Sequence, residues 1–293
     1  MKRVVRTFPV VAAIAFGVLI ALPSSARASE LNLTGGSGSC QNPDPGCGGT
    51  AVVDGITYWS FGGALWTVTD HQSTGSGVID SFVRISAANQ DIVDGMNTDY
   101  RGPHFGKPAY GDENSSPTFT HSLTWAEVPE VTIAGKVYYE FLLDINQTKA
   151  DPLLSLDGLQ LCYSNSSTDY FGGTCGPSKM YDLDSSGNND VLLNYSLNAG
   201  SGSGDLFVYI PKPLTGWNEN KNLYLWSQFG ATLDYGNNDG YEEWAVRANL
   251  GSVQPFNAPE VPEPSSMILL GSGLLLGASA LRKRRAGKTT DAV

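Results

Sequence analysis

Val137-Tyr138-Tyr139-Glu140-Phe141-Leu142-Leu143-Asp144-Ile145 alternates along its length. Val137, Tyr139, Phe141, Leu143 and Ile145 fall on one side of an extended chain, with Glu140 and Asp144 on the other. Successive strand side chains point to opposite faces, so a period of two marks a strand with one face turned to a core. The same period recurs at Leu159, Leu161 and Tyr163 and at Val191, Leu193, Tyr195 and Leu197. Leu206, Val208 and Ile210 form another face, backed by Phe207 and Tyr209, while Leu223, Leu225 and Phe229 oppose Tyr224 and Trp226. Further candidate strands are Ile56–Phe61, Ala64–Val68, Val78–Ile85, Thr118–Trp125 and Val128–Ile133. Turn-forming runs separate them: Ser186-Gly187-Asn188-Asn189, Asn198–Gly204 and Gly236-Asn237-Asn238-Asp239-Gly240. Between the two chain ends no stretch holds a 3.6-residue period over three turns. Some ten short strands in one domain predict an all-β fold over residues 29–256, an antiparallel β-sandwich of jelly-roll type.

Composition points the same way. Charged residues make up 16% of the 293 residues, and Gly, Asn, Ser and Thr stand where helix-forming Glu, Lys and Ala would. The formal net charge of −11 is unevenly spread. Nine basic residues face 28 acidic ones between Ser29 and Pro264, a local balance near −19. Nucleic acid is therefore excluded as a partner, since phosphate recognition needs Lys/Arg patches. An acidic surface suits solubility, divalent cations or neutral glycans.

The N-terminus opens with Met1-Lys2-Arg3, continues through an apolar run from Phe8 to Leu22, and reaches Ala26-Arg27-Ala28. Basic start, short apolar centre and Ala-x-Ala site predict a secretory signal peptide over 1–28, cut by signal peptidase to leave Ser29 first. At the other end a proline-rich linker over 257–264 carries Val261-Pro262-Glu263-Pro264. An apolar segment over 265–281 follows, then Arg282-Lys283-Arg284-Arg285 within a basic tail over 282–293. Seventeen residues are the lower limit of a membrane-spanning helix, and the cations would hold the tail on the cytoplasmic side. The prolines keep Glu263 in extended chain outside the membrane. Gly273 and Gly277 within the span are spaced for helix pairing, or are simply small residues of a sorting helix.

This tripartite tail, Val261 to Arg285, resembles the PEP-CTERM sorting signal of exopolysaccharide-producing Gram-negative bacteria. The stretches Asn194–Asp205, Tyr224–Gly230 and Asn238–Trp244 also look like the core of other PEP-CTERM proteins, which implies grouping but no chemistry. The resemblance implies recognition by an exosortase, a membrane-embedded Cys/Arg/His transpeptidase-like enzyme that acts near the Pro-Glu-Pro motif. The expected course is export through the inner membrane by the secretion machinery, transient anchoring by one span, then delivery to the cell surface or matrix. Exopolysaccharide is the expected partner there. Three functions compete: a non-catalytic envelope or biofilm-matrix protein that binds glycan, a polysaccharide-acting hydrolase or lyase, and an adhesive appendage subunit.

Four cysteines form two sequence-local pairs, and in an exported chain the expectation is disulfides Cys40–Cys47 and Cys162–Cys175. Asp182, Asp184, Ser186 and Asp190 stand at positions 1, 3, 5 and 9 of a loop with Gly187 at 6, the spacing of a calcium loop. Position 12 is Leu193 rather than Glu, which leaves a Ca²⁺ turn and a plain Asx-rich turn both open. Asp234, Asp239, Glu242 and Glu243 form a second acidic group. On a strand, Glu242 and Glu243 would face opposite ways. Tyr138, Tyr224 and Trp226 offer either sugar-stacking platforms or a second core face. Asp99-Tyr100-Arg101-Gly102-Pro103-His104 reads as a structural polar loop. No GxSxG, HExxH, P-loop or GxGxxG pattern occurs, so no catalytic residue is assigned.

Overall fold

Tyr139, Phe141, Leu143 and Ile145 point into one buried core, as their alternation requires, and the strand that carries them runs from Lys136 to Asp144. The computed structural model describes residues 28–36, 38–40, 46–68, 81–86, 90–103, 105, 111–171, 178–199, 204–213 and 218–246. The chain forms β1 (Ser29–Asn32), β2 (Ser39–Cys40), β3 (Cys47–Val53), β4 (Ile56–Phe61) and β5 (Ala64–Val68). Next come β6 (Ser81–Ile85), β7 (Val93–Met96), β8 (Leu123–Thr124), β9 (Glu130–Ile133), β10 (Lys136–Asp144) and β11 (Leu153–Ser164). The last are β12 (Lys179–Asp182), β13 (Asn189–Asn194), β14 (Leu206–Pro211), β15 (Asn222–Phe229) and β16 (Glu242–Ala245). Among the described residues the helical segments are three short 3₁₀ turns, Trp125–Glu127, Leu183–Ser186 and Tyr195–Leu197.

Two sheets result. The first runs β2-β1-β13-β11-β15-β7, with β12 beside β11 and β8 beside β15. The second runs β3-β4-β5-β14-β10-β16-β6, with β9 beside β10. Every strand pair is antiparallel except β1 with β13, which is parallel. Leu31, Leu156, Val191, Leu225 and Phe229 from the first sheet meet Trp66, Phe141, Val208 and Trp244 from the second in one continuous core. At ~1.5–3 kcal/mol per large buried side chain, this layer is the main stabilising term. Trp125 enters from a 3₁₀ turn and packs its ring 4.8 Å from that of Tyr139.

The period-two reading locates β4 and β5 to the residue and finds β10, β11, β14 and β15. Elsewhere the structure departs from it. The strand expected through Leu197 stops at Asn194, because the Asn194 side chain accepts the Ser196 N–H and starts a 3₁₀ turn. Thr118–Trp125 yields only β8, since Ser116 O accepts both the Phe119 and Thr120 amides in a turn. Of Val78–Ile85, residues 81–85 form β6 and the rest lie outside the described residues. The outer faces are not polar either. Tyr58, Tyr138, Leu142, Phe207 and Tyr209 cluster on the second sheet, and Met96, Cys162, Tyr224 and Trp226 on the first.

Candidate functional site

Both predicted processing segments flank the described domain. The first strand begins at Ser29, the residue expected to lead the mature chain. Ser29 is 4% exposed, and its N–H donates to Asn188 O at 2.9 Å as β1 joins β13. Residues 1–27 lie outside the described residues, as do the motif Val261, Pro262, Glu263 and Pro264 and the cluster Arg282, Lys283, Arg284 and Arg285. Among the described residues no helix is long and apolar enough to cross a membrane; the span expected over 265–281 is not among them. Description ends at Val246, just after β16.

Cys40 and Cys47 form a disulfide with Cα atoms 6.0 Å apart. Cys40 ends β2 of the first sheet and Cys47 begins β3 of the second, so the bond ties the two sheets together along one side. Cys162 is fully buried and is itself disulfide-bonded, while its expected partner Cys175 lies outside the described residues.

The carboxylates of the expected calcium loop go to separate tasks. Asp182 accepts the Asp184 N–H at 3.1 Å, capping the 3₁₀ turn, and pairs with Lys179 at 2.5 Å. Asp184 accepts the Asn189 N–H at 2.9 Å, and Ser186 Oγ lies 3.3 Å from Asn189 Nδ2. Asp190 sits on β13 and accepts from Thr232 Oγ1, which also donates to Asp157 at 2.8 Å. Burial and the nearby Asp157 carboxylate push Asp190 up to about 6. Among the described residues no group of three or more His, Cys, Asp or Glu side chains is placed to hold a metal ion. Beside this loop a shallow cavity of about 370 Å³ is lined by Gly62, Gly63, Lys179, Tyr181, Asp182 and Ser185.

The second acidic group divides as strand geometry demands. Glu242 and Glu243 face opposite ways on β16, and neither is solvated. Glu242 accepts the Asn146 N–H at 3.0 Å and Gln147 Nε2 at 2.7 Å, while Glu243 pairs with Arg84. Asp234 stands in a turn with φ 68°, and Asp239 caps Gly240. Alternation gave no sign of the cluster around Glu242. Asp144 accepts the Gly204 N–H at 3.1 Å and Asp205 accepts the Ile145 N–H at 2.8 Å. Burial, and then the crowding of these carboxylates, holds Asp205 and Glu242 well above the usual carboxylate range.

The aromatic candidates are not exposed platforms. Tyr138, Tyr224 and Trp226 are all buried on outer sheet faces. Tyr224 donates its hydroxyl to Ser166 O at 2.6 Å, and Trp226 donates Nε1 to Asp94 of the neighbouring β7 at 2.8 Å, so the polar ends of both rings are bonded within the protein. In the 99–104 loop, Asp99 accepts from Ser122, and Arg101 donates to Thr98 O and stacks on Phe105; His104 lies outside the described residues.

No curated protein and no solved structure matches the chain. One family model does, over residues 260–285: the PEP-CTERM protein-sorting motif. The matched stretch spans Val261-Pro262-Glu263-Pro264, the apolar segment and the basic cluster. The chain thus carries a PEP-CTERM protein-sorting motif at residues 260–285, which implies export, recognition by an exosortase and delivery to the cell surface.

Proposed function

We propose that this is a non-catalytic envelope or biofilm-matrix protein, exported with a cleaved signal peptide and processed at Pro262-Glu263-Pro264 by an exosortase. The observation that carries this reading is the match at 260–285. The order of its parts supports it physically. An extended Pro-Glu-Pro segment offers a peptide to be cut, the apolar stretch holds the chain in the bilayer, and four cations resist passage through hydrocarbon. An acidic β domain on a proline-rich linker fits a module displayed among neutral glycans.

The deciding measurement is the mass of the mature protein in a host with an exosortase. Both Met1–Ala28 and the basic tail should be missing. Intact Val293 on the surface-exposed protein would overturn the sorting reading and leave a permanent anchor. Pull-down on the host's own exopolysaccharide, beside a reducing-sugar assay, tests the second half of the proposal: retention without sugar release is expected.

A further inference from the structure

Among the described residues the ladders of the two sheets end in four edge strands; the chain closes two of them and keeps a third very short. β6 and β7 end the two sheets, and residues 111–114 bond to both. Asp112 N–H donates to Asp94 O at 2.7 Å, Ser86 N–H to Asp112 O at 3.0 Å and Asn114 N–H to Arg84 O at 2.8 Å. Phe82 O accepts from His121 as well. On the opposite side β2 is two residues long and disulfide-tied. The side branches β8, β9 and β12 span four residues or fewer.

Among the described residues none of these protections reaches β3. Its seven residues, Cys47-Gly48-Gly49-Thr50-Ala51-Val52-Val53, include no charge and no proline, and positions 48–52 are exposed. Val52 is 69% exposed. An edge without charge, proline or cover is a template for another strand. The β3–β4 hairpin turns through Asp54 and Gly55, with φ 52° and 80°, a two-residue turn of type I′. Its closing pair Val53–Ile56, and then Ala51–Tyr58, direct their hydrogen bonds inward to β4; by the antiparallel alternation Thr50 and Val52 direct theirs outward.

We propose that β3 is a self-association edge, pairing antiparallel with β3 of a second copy about a two-fold axis at Ala51. Thr50 then faces Val52 of the other copy twice over, which makes four new N–H···O bonds and sets one β-branched residue against another. Ala51 faces itself across a non-hydrogen-bonded pair, where Cα atoms approach to about 4.5 Å and a methyl group fits. The register selects this occupant, because the strand is self-complementary about Ala51. A body near −19 repels its copies, and an edge strand free of carboxylates is where that repulsion opposes pairing least. The nearest charge, Asp54, falls opposite Gly48 in this register. The inference does not depend on the sorting reading.

Full-length protein in detergent tests it, by sedimentation equilibrium and by cross-linking. Ala51→Cys should give a reducible dimer under mild oxidation, whereas Leu233→Cys, at a remote site 85% exposed, should not. Val52→Pro removes an outward N–H and should abolish that dimer, as edge strands tolerate proline. Ala51→Glu keeps the backbone and opposes two carboxylates, so self-association should weaken by about tenfold or more. Gly273→Ile, a change in the membrane segment, should leave the Ala51→Cys cross-link intact. A wild-type monomer, a dimer that survives Ala51→Glu, or cross-linking no faster at Ala51 than at Leu233 would each overturn the proposal.

Discussion

Glu242, fully buried, holds its place as an acceptor for Asn146 and Gln147 beside Asp144 and Asp205. Its folded pKa lies above its unfolded one, so the folded state binds the extra proton. Such a group favours folding below the unfolded carboxylate pKa and loses that contribution as pH rises through the folded value. Asp205 and Asp190 act in the same direction, Asp190 between about 4 and 6. The melting temperature should therefore rise as pH is lowered from 7.5 towards 5. Glu242→Gln, which keeps an acceptor and removes the charge, should raise stability at pH 7.5, by roughly 2–4 °C per kcal/mol recovered, and flatten this slope. An unaltered slope in a folded Glu242→Gln variant would remove Glu242 as its source. Asp184→Ala should cost about 1 kcal/mol through the lost Asn189 N–H acceptor. Because Asp182 and Asp184 serve the turn, that loss should be the same with and without millimolar Ca²⁺, as differential scanning calorimetry would report. The loop's oxygen spacing was legible in the sequence, but the hydrogen bonds that occupy those oxygens were not.

Strands were legible where one face is apolar and the other is not. β10 and β14 show why: Phe141, Leu143, Leu206 and Val208 face the core, and the pattern needs no tertiary information. β1, β3, β7 and β16 escaped because their residues are small, polar or acidic; Val93-Asp94-Gly95-Met96 is too short to show alternation and is a strand by its pairing with β15. The disulfide at the start of β3 closes a loop of seven-residue separation, and its removal by Cys40→Ser with Cys47→Ser should cost about 2.5 kcal/mol in denaturant unfolding. The larger consequence belongs to the elements it joins. Without the tie, β2 and β3 should gain the fastest amide hydrogen exchange in the domain. The second pair remains our proposal, and thiol labelling of denatured, unreduced protein should find no reactive cysteine; two reactive cysteines would refute Cys162–Cys175.

On the reading proposed above, the fate of the chain is decided at its two ends, and the described domain sets its shape. Replacing Pro262, Glu263 and Pro264 by alanine should leave export intact and accumulate a longer, membrane-bound form on immunoblots of host fractions. Replacing Arg282–Arg285 by serine should instead weaken retention before processing, since the barrier of carrying four cations through the bilayer is gone. Release of normal, shortened protein from the alanine variant would show that the motif is not read.

The sequence by itself determined the all-β class, the alternating core faces, the local cysteine pairing at Cys40–Cys47 and the sorting motif at 260–285. Each depends on residues close together in the chain: a period of two, a short loop, or a linear signal that an enzyme reads as extended peptide. Tertiary structure alone decided the rest. Glu242 became a buried acceptor because β16 brings it to Asn146 and Gln147, 95 or more positions away. Trp226 was removed from solvent because Asp94, 132 residues distant, binds its indole N–H. β3 was left as the open edge because, among the described residues, segments remote in sequence close β6 and β7 but do not reach it. Burial and edge exposure depend on which distant segments arrive, and a local pattern carries no record of that.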